Sequence, residues 1–167
     1  ANPAQPIATA LGVANPVIAP KMAQELAARG RSGLVFRSED GLDELATTSL
    51  STVWVVRANE VEEQSFDPRD FGIGRATIDQ LIGGDAKHNA EVARRLFAGE
   101  AFENSQAIFD VVVLNAAGGM VAYQIAQGSR ASIADLFDPA IKSAKAAIES
   151  GAAQRKVVEW SAATQQF

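Results

Sequence analysis

Ile7-Ala-Thr-Ala-Leu-Gly-Val13, Asn15-Pro16, Val17 to Arg29 and Leu34-Val35-Phe36 follow one another at the start of the chain, and this stretch decides the fold. Ile7 to Val13 is apolar and β-permissive, with Pro6 and Pro16 bounding it. Asn15-Pro16 starts a helix over Val17 to Arg29, with Pro20 in its first turn and Gly30 at its end. Ile18, Met22, Leu26 and the alanines fall on one face of that helix. Leu34-Val35-Phe36 after Gly33 is a short apolar run of the kind found in buried strands. Strand, helix, strand is the βαβ signature of a parallel sheet.

Working outward, Glu39-Asp-Gly-Leu-Asp-Glu44 is an acidic loop leaving the second strand. Thr52 to Arg57 (Thr-Val-Trp-Val-Val-Arg) has strong β propensity. Val61 to Phe66 can pair back with it through Ala58-Asn59-Glu60 as an antiparallel hairpin. Asp67-Pro-Arg-Asp-Phe-Gly72 is turn chemistry and closes the β-rich part. Downstream the patterns are helical. Asp85 caps a helix to Phe97, closed by Gly99, with Arg94 and Arg95 placed for its C-terminal dipole. Asn104 or Ser105 caps a run to Ala126 that is apolar nearly all round, so a buried central helix is expected. Within it, Ala116-Ala-Gly-Gly119 would let a neighbouring backbone come close. Ser132 with Asp135 reads as a capping box on a short helix. Asp138-Pro139 restarts a second helix to Glu149, with Gly151 as its stop, and a last helix fills Ala153 to about Gln165. The expected class is α/β: a mixed, mainly parallel sheet with flanking helices and a helix-rich C-terminal half.

Composition sets the outer bounds. The chain has 167 residues, and domains run roughly 100–200 residues, so one domain is expected. It has no Cys, which excludes a disulfide framework, a thiol nucleophile and a thiolate metal site. Its single histidine, His88, excludes a metal site built on two or more. A net charge of −5 argues against sequence-independent nucleic-acid binding, which relies on dense Lys and Arg contacts to phosphate. Trp54, Tyr123 and Trp160 are not interleaved with basic residues, so a base-stacking platform is unsupported. Lys142, Lys145, Arg155 and Lys156 read as a solvated helix face. No run of about 20 uninterrupted apolar residues occurs, so no membrane span or membrane partner is expected. No signal peptide is visible. The start at Ala1, with Asn2-Pro3 and Pro6 close behind, reads as the interior of a longer, cytoplasmic protein.

The acidic loop carries the most chemistry. Asp43 and Glu44 are adjacent, beside a glycine, and follow a buried strand. Ligands of open α/β sheets bind outside the carboxyl ends of the strands. Carboxylates there can hold Mg²⁺, a hard ion that keeps several waters and is often shared with substrate phosphates. A solvated acidic turn is the plainer alternative. Gly83-Gly84-Asp85 precedes a helix and so resembles an anion site, but Asp85 would itself occupy the free amides. Gly72-Ile-Gly74-Arg-Ala-Thr77 only partly mimics a dinucleotide fingerprint and follows a proline turn rather than a strand. His88 has no suitably placed acid or nucleophile beside it in sequence and reads as exposed or packed. Asp110 and Asn115, in the most apolar helix, must be satisfied by hydrogen bonds in the interior or at the edge of a site.

Leu34-Val-Phe-Arg-Ser-Glu-Asp-Gly-Leu-Asp-Glu-Leu-Ala-Thr-Thr48 resembles the Asp-Gly-Leu-Asp-Glu segment of the anthranilate phosphoribosyltransferase family. Asn2-Pro-Ala4 with Leu11-Gly-Val13, Asp67-Pro with Asp70-Phe-Gly72, Gly83-Gly-Asp-Ala86 with Asn89-Ala90, Val113-Leu-Asn-Ala-Ala117 and Ile148-Glu-Ser-Gly-Ala152 recur in that family's order. The resemblance covers residues 1–167 as the C-terminal part of the family's α/β phosphoribosyltransferase domain. It implies that the N-terminal helical domain lies elsewhere, with the Gly-Thr-Gly-Gly-Asp loop for phosphoribosyl pyrophosphate (PRPP) and the contacts that build the family's homodimer. Within this chain only Asp43 and Glu44 match assigned site residues, as ligands of the Mg²⁺ cofactor. One departure stands out: Arg37-Ser38 occupies the place of the family's His-Gly.

The resemblance implies transfer of the phosphoribosyl group from PRPP to anthranilate, in tryptophan biosynthesis, by an enzyme of which this chain is a part that is inactive alone. Two alternatives stay open: a related transferase or nucleoside phosphorylase with another acceptor, and a non-catalytic nucleic-acid-binding relative.

Overall fold

The computed structural model describes residues 6–165. The motif at Asn2-Pro-Ala4 lies outside them. The order is β1 (Ala8–Gly12), α1 (Ala19–Ala28), β2 (Ser32–Ser38), β3 (Ser51–Arg57), β4 (Glu60–Phe66), α2 (Ala86–Phe97), α3 (Ser105–Ala126), α4 (Ile133–Glu149) and α5 (Ala152–Thr164). Two 3₁₀ turns, Pro68–Phe71 and Ile78–Leu81, join the sheet to the helices.

The four strands form one sheet in chain order, with helices on both faces. The α/β class and the mixed sheet are as expected, but the balance of strand directions is not. Only β1 and β2 are parallel, while β2–β3 and β3–β4 are antiparallel. The reason is the connection. A parallel pair needs a crossover, usually a helix, and α1 is the only helix between successive strands. Residues 39–50 contain no helix, and that loop reverses the chain so that Ser38 pairs with Ser51. The β3–β4 hairpin is tighter than expected, because Glu60 already pairs with Arg57 and leaves a two-residue turn.

Alternation along the strands divides two cores. Leu34, Phe36, Val53, Val55 and Phe66 face α3 and α4. Val35, Trp54 and Val56 face α1. The residues of α1 buried against the sheet are Ala19, Ala23 and Ala27, with Leu26 half-buried beside them, while Ile18 and Met22 stay exposed. Small side chains at this spacing let the helix lie close on the sheet, so the larger residues of the apolar stripe are left at its margin. The helix also begins later than Asn15-Pro16 suggests: Asn15 Oδ1 accepts from the amides of Val17 (2.9 Å) and Ile18 (3.2 Å), forming a turn ahead of Ala19.

Two helix expectations are corrected. The segment 133–149 is one helix, α4, with Pro139 inside it, rather than a short helix followed by a restart. Leu136, Phe137, Ala140 and Ile141 are all buried, so the apolar face runs through the proline and offsets the lost backbone bond. The central helix α3 is buried only from Val113 onward, while its first turns, through Val112, are half-exposed and border the acidic loop. By length and apolarity alone, with 22 residues and an 18-residue stretch of mean hydropathy 1.5, α3 could cross a bilayer. Here it packs on the sheet and α4 as a core helix.

Candidate active site

Residues 39–50 run between the buried ends of β2 and β3 and present Asp43 and Glu44, both exposed, beyond the carboxyl ends of β1 and β2. That is where a parallel βαβ unit binds ligands. The pair borders two adjoining cavities. One, about 260 Å³, is walled by Leu42, Leu45, Ile78, Leu81, Ile108 and Val111. The other, about 380 Å³, is lined by Gly12, Phe36, Val111, Val112 and Asn115.

The loop's path is set by hydroxyls at its base. Ser38 is fully buried, and its Oγ accepts from the Leu42 amide at 2.8 Å and donates to the Asp40 carboxylate. Thr48 donates to the other Asp40 oxygen. Partial burial works against ionising Asp40, but the Ser38 and Thr48 hydroxyls, the Leu42 amide and Ser49 together hold its carboxyl below the ordinary range. Further along, Ala46 N–H donates to Ser51 Oγ at 3.3 Å. Arg75 donates to the Ser49 carbonyl at 2.8 Å and pairs with Asp67 at 3.0 Å, tying the loop to the turn after β4.

Two contacts from outside the loop place the carboxylates themselves. Gly12, at the end of β1, lies directly against the Asp43 backbone. From α3, Asn115 binds the backbone of Leu45, accepting from its N–H at 3.0 Å and donating to its carbonyl at 2.9 Å. The Leu45 side chain is fully buried, with Cδ1 beside Gly118. The small residues of α3 thus receive a side chain there, not a neighbouring backbone.

Asn115, expected from the sequence to be satisfied in the interior or at the edge of a site, lies at the edge of this one. Its signal was an amide in an apolar helix; its partner 70 residues away was not legible. Ser38, in the sequence a departure from the resembled pattern, braces the loop from a buried position. Arg37, its neighbour, donates to the Ala14 carbonyl at 2.7 Å, beyond the end of β1.

Of the other candidates, the Gly83-Gly84-Asp85 turn, His88 and Asp110 line neither cavity. Asp85 Oδ1 accepts from His88 N–H at 2.8 Å, an ordinary helix cap. The Gly84 amide is bound by Asn89 Oδ1 at 2.8 Å, so the glycine turn does not offer a free amide cradle. His88 is exposed on α2. Asp110 accepts from Gln106 at 2.9 Å on α3.

Two adjacent exposed carboxylates on a braced loop suit Mg²⁺, which is commonly held by one or two carboxylates together with water and substrate phosphates. Among the described residues, no three His, Cys, Asp or Glu side chains converge into an all-protein metal cage. The donor set therefore fits a metal shared with a ligand.

Comparison with known proteins identifies the family and the fold. The glycosyl transferase family, a/b domain, matches residues 1–154. The anthranilate phosphoribosyltransferase of Streptomyces avermitilis is 47% identical over 163 residues, spanning 98% of this chain and 44% of that protein. That of an Arthrobacter species is also 47% identical, over 98% of this chain and 45% of its own length. Among solved structures, the Saccharomyces cerevisiae anthranilate phosphoribosyltransferase in complex with PRPP and Mg superposes with a TM-score of 0.70 at 25% identity, over 87% of this chain and 39% of that one. The Thermus thermophilus enzyme gives 0.59 at 29% identity, over 85% and 41%. The chain thus spans less than half the length of the relatives it matches.

Proposed function

Since the chain belongs to the glycosyl transferase family that shares this α/β domain, we propose that it is the C-terminal part of an anthranilate phosphoribosyltransferase, with Asp43 and Glu44 as its Mg²⁺ ligands. The reaction is transfer of the phosphoribosyl group from PRPP to anthranilate, in tryptophan biosynthesis in the cytoplasm. The observation that carries the reading is the exposed Asp43–Glu44 pair, set at the carboxyl ends of a βαβ unit by Gly12 and Asn115.

In this reading the anthranilate amine forms a bond to the anomeric carbon as that carbon's bond to pyrophosphate breaks, and the amine's proton passes to solvent. The amine is nucleophilic at neutral pH, so the reaction needs no strong protein base. Mg²⁺, when bound, would stabilise the negative charge building on the departing pyrophosphate. The chain's own part is placement: Asp43 and Glu44 would hold the metal, and the bracing of residues 38–51 keeps their positions fixed before substrate arrives. The diphosphate loop, the helical domain and the homodimer contacts belong to the remainder of the full-length protein. Isolated residues 1–167 should therefore bind PRPP weakly and turn nothing over.

The test follows anthranilate fluorescence with the full-length protein, PRPP and Mg²⁺, with EDTA as control. Loss of signal that requires both PRPP and metal supports the transferase. No loss, with folded protein and intact PRPP, refutes anthranilate as acceptor, and other amines and bases would then be screened.

A further inference from the structure

We infer that Asn115 is a positioning residue for the Asp43–Glu44 pair, acting through the backbone of Leu45. This rests on the metal role proposed for those carboxylates.

Each polar atom of the Asn115 amide is engaged. Oδ1 accepts from Leu45 N–H at 3.0 Å, and Nδ2 donates to Leu45 O at 2.9 Å and to Val111 O at 3.0 Å. The first two bonds reproduce the way one peptide unit pairs with another in a sheet. The Asn115 side chain therefore recognises backbone, and recognises it at the residue that directly follows Glu44. One turn along α3, Gly118 makes room for the Leu45 side chain, so Leu45 is docked on this helix by both its peptide and its side chain.

The opposite end of the pair is fixed just as closely. The Leu42 amide sits on Ser38 Oγ, and the Asp43 carbonyl lies against Gly12. Asp43 and Glu44 are thus held between anchored neighbours, with side-chain torsions as their main remaining freedom. Gly12 and Asn115 both line the second cavity, and Asn115 reaches the loop from α3, whose Val111 borders both cavities. Any shift of α3 would move the cavity wall and the carboxylates together.

An amide in an apolar helix carries a desolvation cost that Leu would not. A purely structural joint between loop and helix could have been apolar, as the Leu45–Gly118 contact is. Backbone recognition beside the metal ligands is the feature that leucine could not supply. Groups hydrogen-bonded directly to metal ligands contribute about 10–100-fold in metal affinity or activity, and Asn115, acting one residue away, is expected at the lower end of that range.

The experiment uses the full-length protein with Asn115→Leu, and with Gln106→Ala on the same helix as a control. Two readings are taken: amide hydrogen exchange across residues 43–46, and Mn²⁺ occupancy by electron paramagnetic resonance in the presence of PRPP. Positioning by Asn115 predicts faster exchange at Leu45 and Ala46, and a Mn²⁺ concentration for half-occupancy raised about tenfold or more. The Mg²⁺ requirement for turnover should rise in parallel while kcat at saturating metal stays near the unsubstituted value. Unchanged exchange, or faster exchange with unchanged Mn²⁺ binding, overturns the inference. So does a fall in kcat with no change in metal requirement, which is the mark of a structural role alone. Should Asn115→Leu fail to fold, Asn115→Ala, which also removes both bonds to Leu45, is read in the same way. A protein that turns over no PRPP with anthranilate would refute the proposed function, while the exchange and Mn²⁺ readings would still decide this one.

Discussion

A Cβ built on Gly12 would lie 1.5 Å from the carbonyl oxygen of Asp43 and 2.4 Å from its carbonyl carbon. No side chain fits there, so the end of β1 and the acidic loop touch backbone to backbone. The contact is steric, and its effect on Asp43 follows directly.

Gly12→Ala should push Asp43 away from β1. Overpacking of this kind costs about 1–3 kcal/mol. The expected result is a lower denaturation midpoint together with a raised Mg²⁺ requirement for turnover. Denaturant titration beside a metal titration checks both, and an alanine variant identical to the parent in each would show that the loop can move aside freely.

Asp43→Asn and Glu44→Gln should leave folding intact, because both side chains are exposed, and surface changes usually stay within about 0.5 kcal/mol. Turnover at limiting Mg²⁺ should fall severely in each. Parent-like rates in both variants under those conditions would remove the metal assignment.

Ser38→Gly restores the glycine of the family pattern and deletes the hydroxyl that serves Leu42 and Asp40. The Leu42 amide then loses its Ser38 partner, at a cost of about 1–3 kcal/mol if water does not replace it. Loss of stability with an unchanged denaturant slope is expected. A more stable variant would mean that the buried serine is a burden the loop tolerates.

Acid should loosen the turn that ties this loop to the sheet. The Arg69 side-chain hydrogen bond, opposed by partial desolvation and assisted by the Arg69 amide and the Arg75 and Arg69 charges, lowers Asp67 from 3.8 to about 2. A depressed acid stabilises the fold above its unfolded pKa, and the contribution fades as pH falls through the folded value. The loss therefore lies between about pH 4 and pH 2. Asp67→Asn should flatten the stability profile in that window, as followed by urea midpoints; an unaltered profile would assign acid sensitivity to other carboxylates.

Much of the fold was legible because its cues are local. Asp85 and Ser132 cap their helices as their spacing suggests, and both strands of the 51–66 hairpin fall within a residue of expectation. Asp43 and Glu44 were singled out by adjacency, charge and place after a strand. The direction of β3 went against the expected mainly parallel sheet, although residues 39–50 carry no helix pattern from which a parallel crossover could be built. The continuity of α4 through Pro139 was not legible, since the cap-like Asp138-Pro139 pair reads the same whether it begins a helix or interrupts one.

What the sequence alone determined is most of the elements, the α/β class and the acidic loop as the candidate site, because periodicity, capping and charge depend on residues near one another in the chain. What only the tertiary structure decided is which face α1 buries, how β2 and β3 run, and where Asp43 and Glu44 stand. The last depends on Gly12 and Asn115, some thirty residues before the pair and some seventy after it, and a contact across that distance is set by packing, which no local spacing encodes.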